Sequence, residues 1–274
     1  MNNITDTTTL NNGVKMPWFG FGTYKATGNE VYEAVKVAID AGYRSIDTAA
    51  VYGNEEEVGQ AIKDSGIARE ELFITTKVWN DRHGYDSTLS AFEESRQRLG
   101  LDIIDLYLIH WPGKDKYKET WTALERLYEE GSVRAIGVSN FHVHHLENLL
   151  KDSNIVPALN QVELHPRLTQ RELYSYCREQ GIQMESWSPL MKGKLTDNAD
   201  ITEIASKYGK TSSQVILRWH LQQEIVTIPK SVTESRIREN ADVFNFELTA
   251  EEIGRISALN KDERVGTNPD ELLF

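Results

Sequence analysis

The sequence predicts an α/β protein of the (β/α)8 barrel class, with an N-terminal β-hairpin capping the barrel base. Three observations lead there. Short β-like runs alternate with amphipathic segments eight times, no linker or low-complexity tract interrupts them, and polar residues recur where the runs end. The length of 274 residues suits one such barrel, so 1–274 is expected to form a single domain.

Residues 7–10 and 14–16 flank Asn12-Gly13, a hairpin signal. The first unit pairs a strand over 19–24 with a helix over 30–41, where Val31, Ala34, Val35 and Ala38 fall at helical spacing. Strands over 44–47, 72–78 and 105–110 precede helices over 55–63, 87–99 and 119–130. Strands over 134–138 and 158–164 precede helices over 144–150 and 170–180. The seventh strand, 183–187, leads through a longer loop into helices over 201–207 and 213–222, and the last strand, 225–229, into a helix over 234–242. A doubly wound open sheet is the competing architecture. Gly20-Phe21-Gly22 begins a dinucleotide fingerprint, but Lys25 stands where its third glycine should pack helix against strand, so the barrel is preferred.

Bulk properties bound the function. A formal net charge of −12 disfavours nonspecific binding to nucleic acid or anionic lipid. No apolar run is long enough to span a membrane, and the opening MNNITDTTTL lacks the cationic start and apolar core of a secretory signal. The single cysteine, Cys177, cannot form an internal disulfide, which suits a reducing cytoplasm. A cytoplasmic monomer with no nucleic-acid or membrane partner is expected.

In a (β/α)8 barrel the active site gathers at the C-terminal strand ends. Those positions hold Asp47, Lys77, His110, Ser139 with Asn140, Gln161, Trp187 with Ser188, and Lys230 with Ser231. Each alone has an ordinary reading: a hydrogen-bonded structural histidine, a solvated lysine, an aspartate in a turn. Packing does not explain why all of them collect at one mouth.

Four segments carry a family resemblance. Gly42-Tyr43-Arg44-Ser45-Ile46-Asp47-Thr48-Ala49, with Tyr52 and Gly53-Asn54-Glu55, resembles the first signature of the aldo-keto reductases. Leu106-Tyr107-Leu108-Ile109-His110-Trp111-Pro112 and Ile136-Gly137-Val138-Ser139-Asn140-Phe141 resemble that family's fourth and fifth strand segments. Ile228-Pro229-Lys230-Ser231, with Arg236, Glu239 and Asn240, resembles its coenzyme-phosphate segment. The resemblance spans nearly the whole chain. It is strongest to the compact bacterial branch, which includes reductases of glyoxal, methylglyoxal and 2,5-diketo-D-gluconate.

The resemblance implies a TIM-type barrel that reduces aldehydes and ketones with NADPH, acting on small-molecule carbonyls with broad specificity. It implies a catalytic tetrad of Asp47, Tyr52, Lys77 and His110. The implied coenzyme contacts are Gly22, Thr23, Tyr24, Ser139, Asn140, Gln161, Trp187, Ser188, Leu190, Lys230, Ser231, Val232, Arg236, Glu239 and Asn240. Tyr24, Trp79, His110 and Trp111 would line the substrate pocket. Two positions depart from the common pattern. Trp187 replaces a tyrosine that stacks on the nicotinamide, and Tyr24 stands where tryptophan is frequent. The long C-terminal loop of animal relatives does not follow Arg264-Val265-Gly266.

Carbonyl reduction needs a hydride on carbon and a proton on the developing alkoxide. Tyr52 is the expected general acid. An unperturbed phenol has a pKa of about 10, and an ammonium at Lys77 would stabilise the phenolate and lower that value. Asp47 would pair with Lys77, and His110 would donate to the substrate oxygen. Lys230 and Arg236, straddling the start of the last predicted helix, can clamp a 2′-phosphate and favour NADPH over NADH.

Other features have structural readings. His142-Val143-His144-His145 invites a metal, but no nearby cysteine or carboxylate pair completes a site, so none is assigned. Cys177 reads as a small buried hydrophobe, and Glu55-Glu56-Glu57 complements a helix dipole. Some members of the resembled family are NADPH-binding regulatory subunits; the intact tetrad favours an enzyme. A phosphate-binding barrel isomerase would need a glycine-rich loop near the last strands, where the nearest approach is Met191-Lys192-Gly193-Lys194.

Overall fold

The computed structural model describes residues 1–114 and 116–272. The hairpin pairs β1 (Thr7–Thr9) with β2 (Lys15–Pro17), Thr8 opposite Met16, around Gly13 at a φ of +85°. Eight parallel strands follow: β3 (Phe21–Gly22), β4 (Ser45–Asp47), β5 (Phe73–Val78), β6 (Ile104–Ile109), β7 (Val133–Ser139), β8 (Leu159–Glu163), β9 (Gln183–Trp187) and β10 (Val226–Thr227). Each pairs with the next in sequence. The ends also meet. Phe19 bridges Thr227 in parallel, and Gly22 N–H donates to the Pro229 carbonyl at 3.1 Å, so the sheet closes into the expected barrel.

The crossover helices are α1 (Gly28–Asp40), α2 (Glu55–Asp64), α3 (Tyr85–Leu99), α4 (Tyr117–Glu129), α5 (Val143–Leu150) and α6 (Arg171–Glu179). The seventh crossover holds both α7 (Ala199–Tyr208) and α8 (Ser212–Gln222), as expected, and α9 (Glu234–Ala241) follows β10. One helix lies outside the expected set. α10 (Ala250–Ser257) opens on a capping box in which Thr249 and Glu252 satisfy each other's backbone N–H. Thr249-x-x-Glu252 ahead of Ile253 and Ile256 is the available signal, but it lies beyond the eighth unit, where the strand–helix alternation stops.

Strand alternation divides the barrel interior into two storeys. Side chains two residues apart share a face. Thus Phe73 leads upward to Lys77, Leu106 and Leu108 to His110, Ala135 to Ser139, and Leu159 to Gln161. The lower storey is apolar: Phe73, Leu106, Leu108, Ala135, Leu159 and Val226 cluster with Leu10 and Met16 of the hairpin. Asn11 and Asn12 donate side-chain hydrogen bonds to the carbonyls of Pro157 and Arg134, fixing the hairpin across the base. The upper storey is polar.

Candidate active site

Asp47 ends β4 and Lys77 lies near the end of β5, so adjacent parallel strands present both to the barrel interior. Lys77 Nζ donates to Asp47 Oδ1 at 2.6 Å and to the Thr48 carbonyl at 2.9 Å, and its side chain is wholly buried. The same Nζ lies 5.3 Å from the centroid of the Tyr52 ring. Tyr52 ends a 3-10 turn (Ala50–Tyr52) that Gly53, at a φ of +62°, terminates in the left-handed conformation open to glycine.

His110 follows β6. Its ring lies 5.7 Å from that of Tyr52 and 5.1 Å from that of Trp79. Tyr24 faces Tyr52 at 5.1 Å and is 55% exposed, forming the outer wall. Trp79 and Trp111 are half-buried at the same strand ends. The four tetrad positions and the expected aromatic lining therefore lie at one barrel mouth.

The electrostatics correct one expectation. Removal from water pushes the Tyr52 phenol up to about 12; the Lys77 charge pulls it down and Asp47 pushes it up. The lysine moderates the phenol without bringing it below its ordinary value, because desolvation is the larger effect. Burial depresses His110 well below the usual histidine range, helped by the charge on Lys77 and by His83, so its imidazole is neutral. Lys77 itself is raised: burial lowers it most as a single effect, but the acidic groups around it, Asp47 first, then Tyr52 and Glu185, together outweigh that.

The remaining residues form a cradle beside this cluster. Asn140, held at a φ of +63°, donates to the His110 carbonyl at 2.9 Å and to Ser139 Oγ at 3.1 Å. Its Oδ1 accepts from Trp187 Nε1 at 2.8 Å, which fixes the indole. Gln161 donates through its side-chain amide nitrogen to Asp47 Oδ2 and Glu185 Oε2, and its backbone carbonyl accepts from Asn140 N–H and Ser139 Oγ. Gly22 comes so close to the opposite edge that a Cβ would stand 3.1 Å from the Ile228 carbonyl oxygen, and Thr23 is locked to the Asp47 carbonyl.

Ser188, at a φ of +54°, and buried or half-buried neighbours up to Leu190 continue from Trp187. Lys230, Val232 and Arg236 are exposed around the start of α9, and Ser231 Oγ accepts from Thr233 N–H. Among the described residues neither Lys230 nor Arg236 makes an ion pair. Glu239 accepts from Thr211 Oγ1 at 3.0 Å, and Asn240 is buried on α9.

Three residues lie outside the set to which the sequence points. Glu185 lies beneath Gln161, and burial beside Asp47 raises its carboxyl to about 8, so it is protonated at neutral pH. Glu163 accepts from the backbone N–H groups of Val265 and Gly266, tying the C-terminal tail to the barrel rim. Gly266 then passes over Trp187. Glu163 and Glu185 sit in runs that read as buried strands, so a carboxylate there is the available signal. Glu55 does more than complement a dipole: it is buried, bonded to Thr76 and Arg98. Cys177 is buried with its thiol pushed up to about 12, as suits an inert core residue.

The aldo/keto reductase family pattern matches residues 19–261. The chain belongs to that family. It is 66% identical over 272 residues to glyoxal reductase of Bacillus subtilis (strain 168), covering 99% of both chains. It is 47% identical to methylglyoxal reductase DkgA of Escherichia coli (strain K12), covering 96% of each. The crystal structure of a Gox0644 point mutant in complex with NADPH superposes with a TM-score of 0.94 at 44% identity, covering 98% of this chain and 99% of that one. Among the described residues, no helix is long and apolar enough to cross a membrane.

Proposed function

We propose that this aldo/keto reductase uses NADPH to reduce aldehydes and ketones to alcohols, with Tyr52 as proton donor and small dicarbonyls such as glyoxal and methylglyoxal as substrates. The observation that carries the reading is the buried Lys77–Asp47 pair set against the Tyr52 ring beside a neutral His110. NADPH supplies the hydride when bound.

The chain's own residues do the rest. Tyr52 stays protonated through the neutral range and gives its proton to the alkoxide as it forms, and Lys77 stabilises the phenolate left behind. Asp47 keeps the lysine charged inside the barrel. His110 Nδ1 is buried without a hydrogen-bond partner among the described residues, which favours the proton on Nε2, because a bare buried N–H is costly. That Nε2–H orients the substrate oxygen.

The cradle fits the coenzyme. The flat face of Trp187, pinned through Asn140, receives the nicotinamide, and Ser139, Asn140 and Gln161 hold its carboxamide. Lys230 and Arg236, both without ion-pair partners among the described residues, take the 2′-phosphate. A single barrel domain, whose closing contacts join Phe19 and Gly22 to the β10 end, presents the whole site.

NADPH consumption by the purified protein with methylglyoxal, glyoxal and a keto-sugar, repeated with NADH, tests the reading. Turnover should prefer NADPH and the two small dicarbonyls. Preference for the keto-sugar would move the substrate assignment to the diketo-gluconate class, and tight NADPH binding with no turnover would indicate a regulatory subunit.

A further inference from the structure

The fold completes a cluster that looks incomplete in the sequence. His142-Val143-His144-His145 opens α5, with His142 as its N-cap residue in an extended conformation (φ −80°, ψ 171°). His145, at the third helical position, folds back so that its Nδ1 accepts from the His142 backbone N–H at 3.1 Å. That bond settles which nitrogen faces outward: Nε2 is left for another partner. The three imidazoles consequently gather, with ring centroids 5.8 Å apart for His142–His144 and 4.0 Å for His144–His145.

A carboxylate arrives from the far end of the described chain. Asp270, on the 3-10 turn Pro269–Glu271, places Oδ2 at 3.0 Å from His142 Nδ1. Its Oδ1 lies 3.0 Å from His144 Nε2 and 3.7 Å from His145 Nε2. One ligand atom from each of the four residues lies within 4.8 Å of every other. In a tetrahedral site with bonds of about 2.0–2.1 Å, ligand atoms stand roughly 3.3 Å apart. The cluster is therefore close to the dimensions of a bound ion. His142 and His145 are half-buried while His144 and Asp270 are exposed, so the site has a half-buried floor and an open face.

We propose that His142, His144, His145 and Asp270 bind a divalent transition metal ion of the zinc class. Three imidazoles and one carboxylate are an N3O donor set suited to Zn²⁺, Ni²⁺ or Cu²⁺, and poorly suited to Mg²⁺ or Ca²⁺. The ion would exchange hydrogen bonds for coordinate bonds, each imidazole coordinating through one ring nitrogen and keeping its proton on the other. Two groups oppose it among the described residues: the His142 backbone N–H, whose bond to His145 Nδ1 leaves that ring's proton on Nε2 and must be given up when Nε2 coordinates, and Arg264. Its guanidinium donates to His142 Nε2 at 3.0 Å, which holds the histidine proton on Nδ1. Coordination through Nδ1 moves that proton to Nε2, so Arg264 must turn away.

The consequence is mechanical. Asp270 follows Gly266, the residue that crosses Trp187, so an ion on α5 would staple the tail over the coenzyme cradle. The site is remote from Tyr52 in role, and it does not rest on the proposed substrate.

The test is a titration of Zn²⁺, and of Co²⁺ as a spectroscopic probe, into chelator-treated protein carrying no polyhistidine tag. We expect one equivalent to bind, with a tetrahedral Co²⁺ visible spectrum and a raised Tm. Asp270→Asn and His144→Ala, both at exposed positions, should each weaken binding about tenfold or more while retaining carbonyl reduction. Arg264→Leu should tighten it. Absence of saturable binding, or binding equally strong in the Asp270→Asn/His144→Ala double variant, would overturn the proposal.

Discussion

Gly266 lies across the indole of Trp187: a Cβ built on this glycine would stand 2.4 Å from Cη2 of that ring. Glu163 grips the backbone leading into the crossing, through Val265 N–H and Gly266 N–H. The tail cannot retreat without breaking those bonds, so an added methyl group must move the indole. Gly266→Ala should therefore weaken NADPH binding, by about tenfold on the scale of a 1–3 kcal/mol overpacking penalty. Quenching of tryptophan fluorescence by NADPH measures it, and an unchanged Kd would detach the tail from the cradle.

Tyr52→Phe removes the proposed proton donor and keeps the ring that packs against Tyr24 and His110. Reduction should fall by about 10²–10⁴-fold, the usual worth of a general acid, with the Kd for NADPH nearly unchanged. Lys77→Met should also be severe, and it should destabilise the fold as well. It strands Asp47 in the barrel without its cation, whereas Tyr52→Phe leaves no buried charge unpaired. Retained turnover in Tyr52→Phe would end the assignment.

Lys230→Ala and Arg236→Ala each remove one cation proposed to meet the 2′-phosphate. Each should shrink the ratio of kcat/KM for NADPH over NADH by about tenfold or more, mostly through KM for NADPH. Glu239→Gln, which changes a side chain already bonded to Thr211, should alter the ratio much less. Equal losses with both coenzymes would mean that the cations serve the fold instead.

Acid should destabilise the protein well above the carboxylate range. His83 and His220 are buried and depressed to about 4, and His110 is also depressed. Each is neutral in the native state but takes a proton on unfolding below its unfolded pKa of about 6.5. Their contribution is thus present above pH 6.5 and lost as pH falls toward 4. His83 and His220 should each remove about 2 kcal/mol at pH 5. Glu185 acts in the opposite sense: raised by burial and by the neighbouring Asp47, it binds its proton more tightly when folded and offsets part of that loss. Urea midpoints should fall between pH 7 and pH 5, and fall further in Glu185→Gln, which cannot gain that proton.

Legibility in the sequence varies with the range of the interaction responsible. The eight strand–helix units, the hairpin and the mouth positions Asp47, Lys77, His110 and Gln161 follow from local periodicity and from where each apolar run ends. Such signals are written in neighbouring residues. α10 escapes although its capping box is equally local, because Thr249–Glu252 lies beyond the last strand–helix unit and no periodic run points to it.

The sequence by itself determined the barrel, its polar mouth and the family to which the chain belongs. Tertiary structure alone decided the net rise of the Tyr52 pKa, the protonated Glu185 beneath Gln161, the crossing of Gly266 over Trp187, and the meeting of Asp270 with three histidines on α5. The reason is common to all four. Desolvation depends on everything that surrounds a group, and a contact such as Asp270–His142, 128 residues apart in sequence, exists only after the barrel has closed and the tail has been drawn back across its rim.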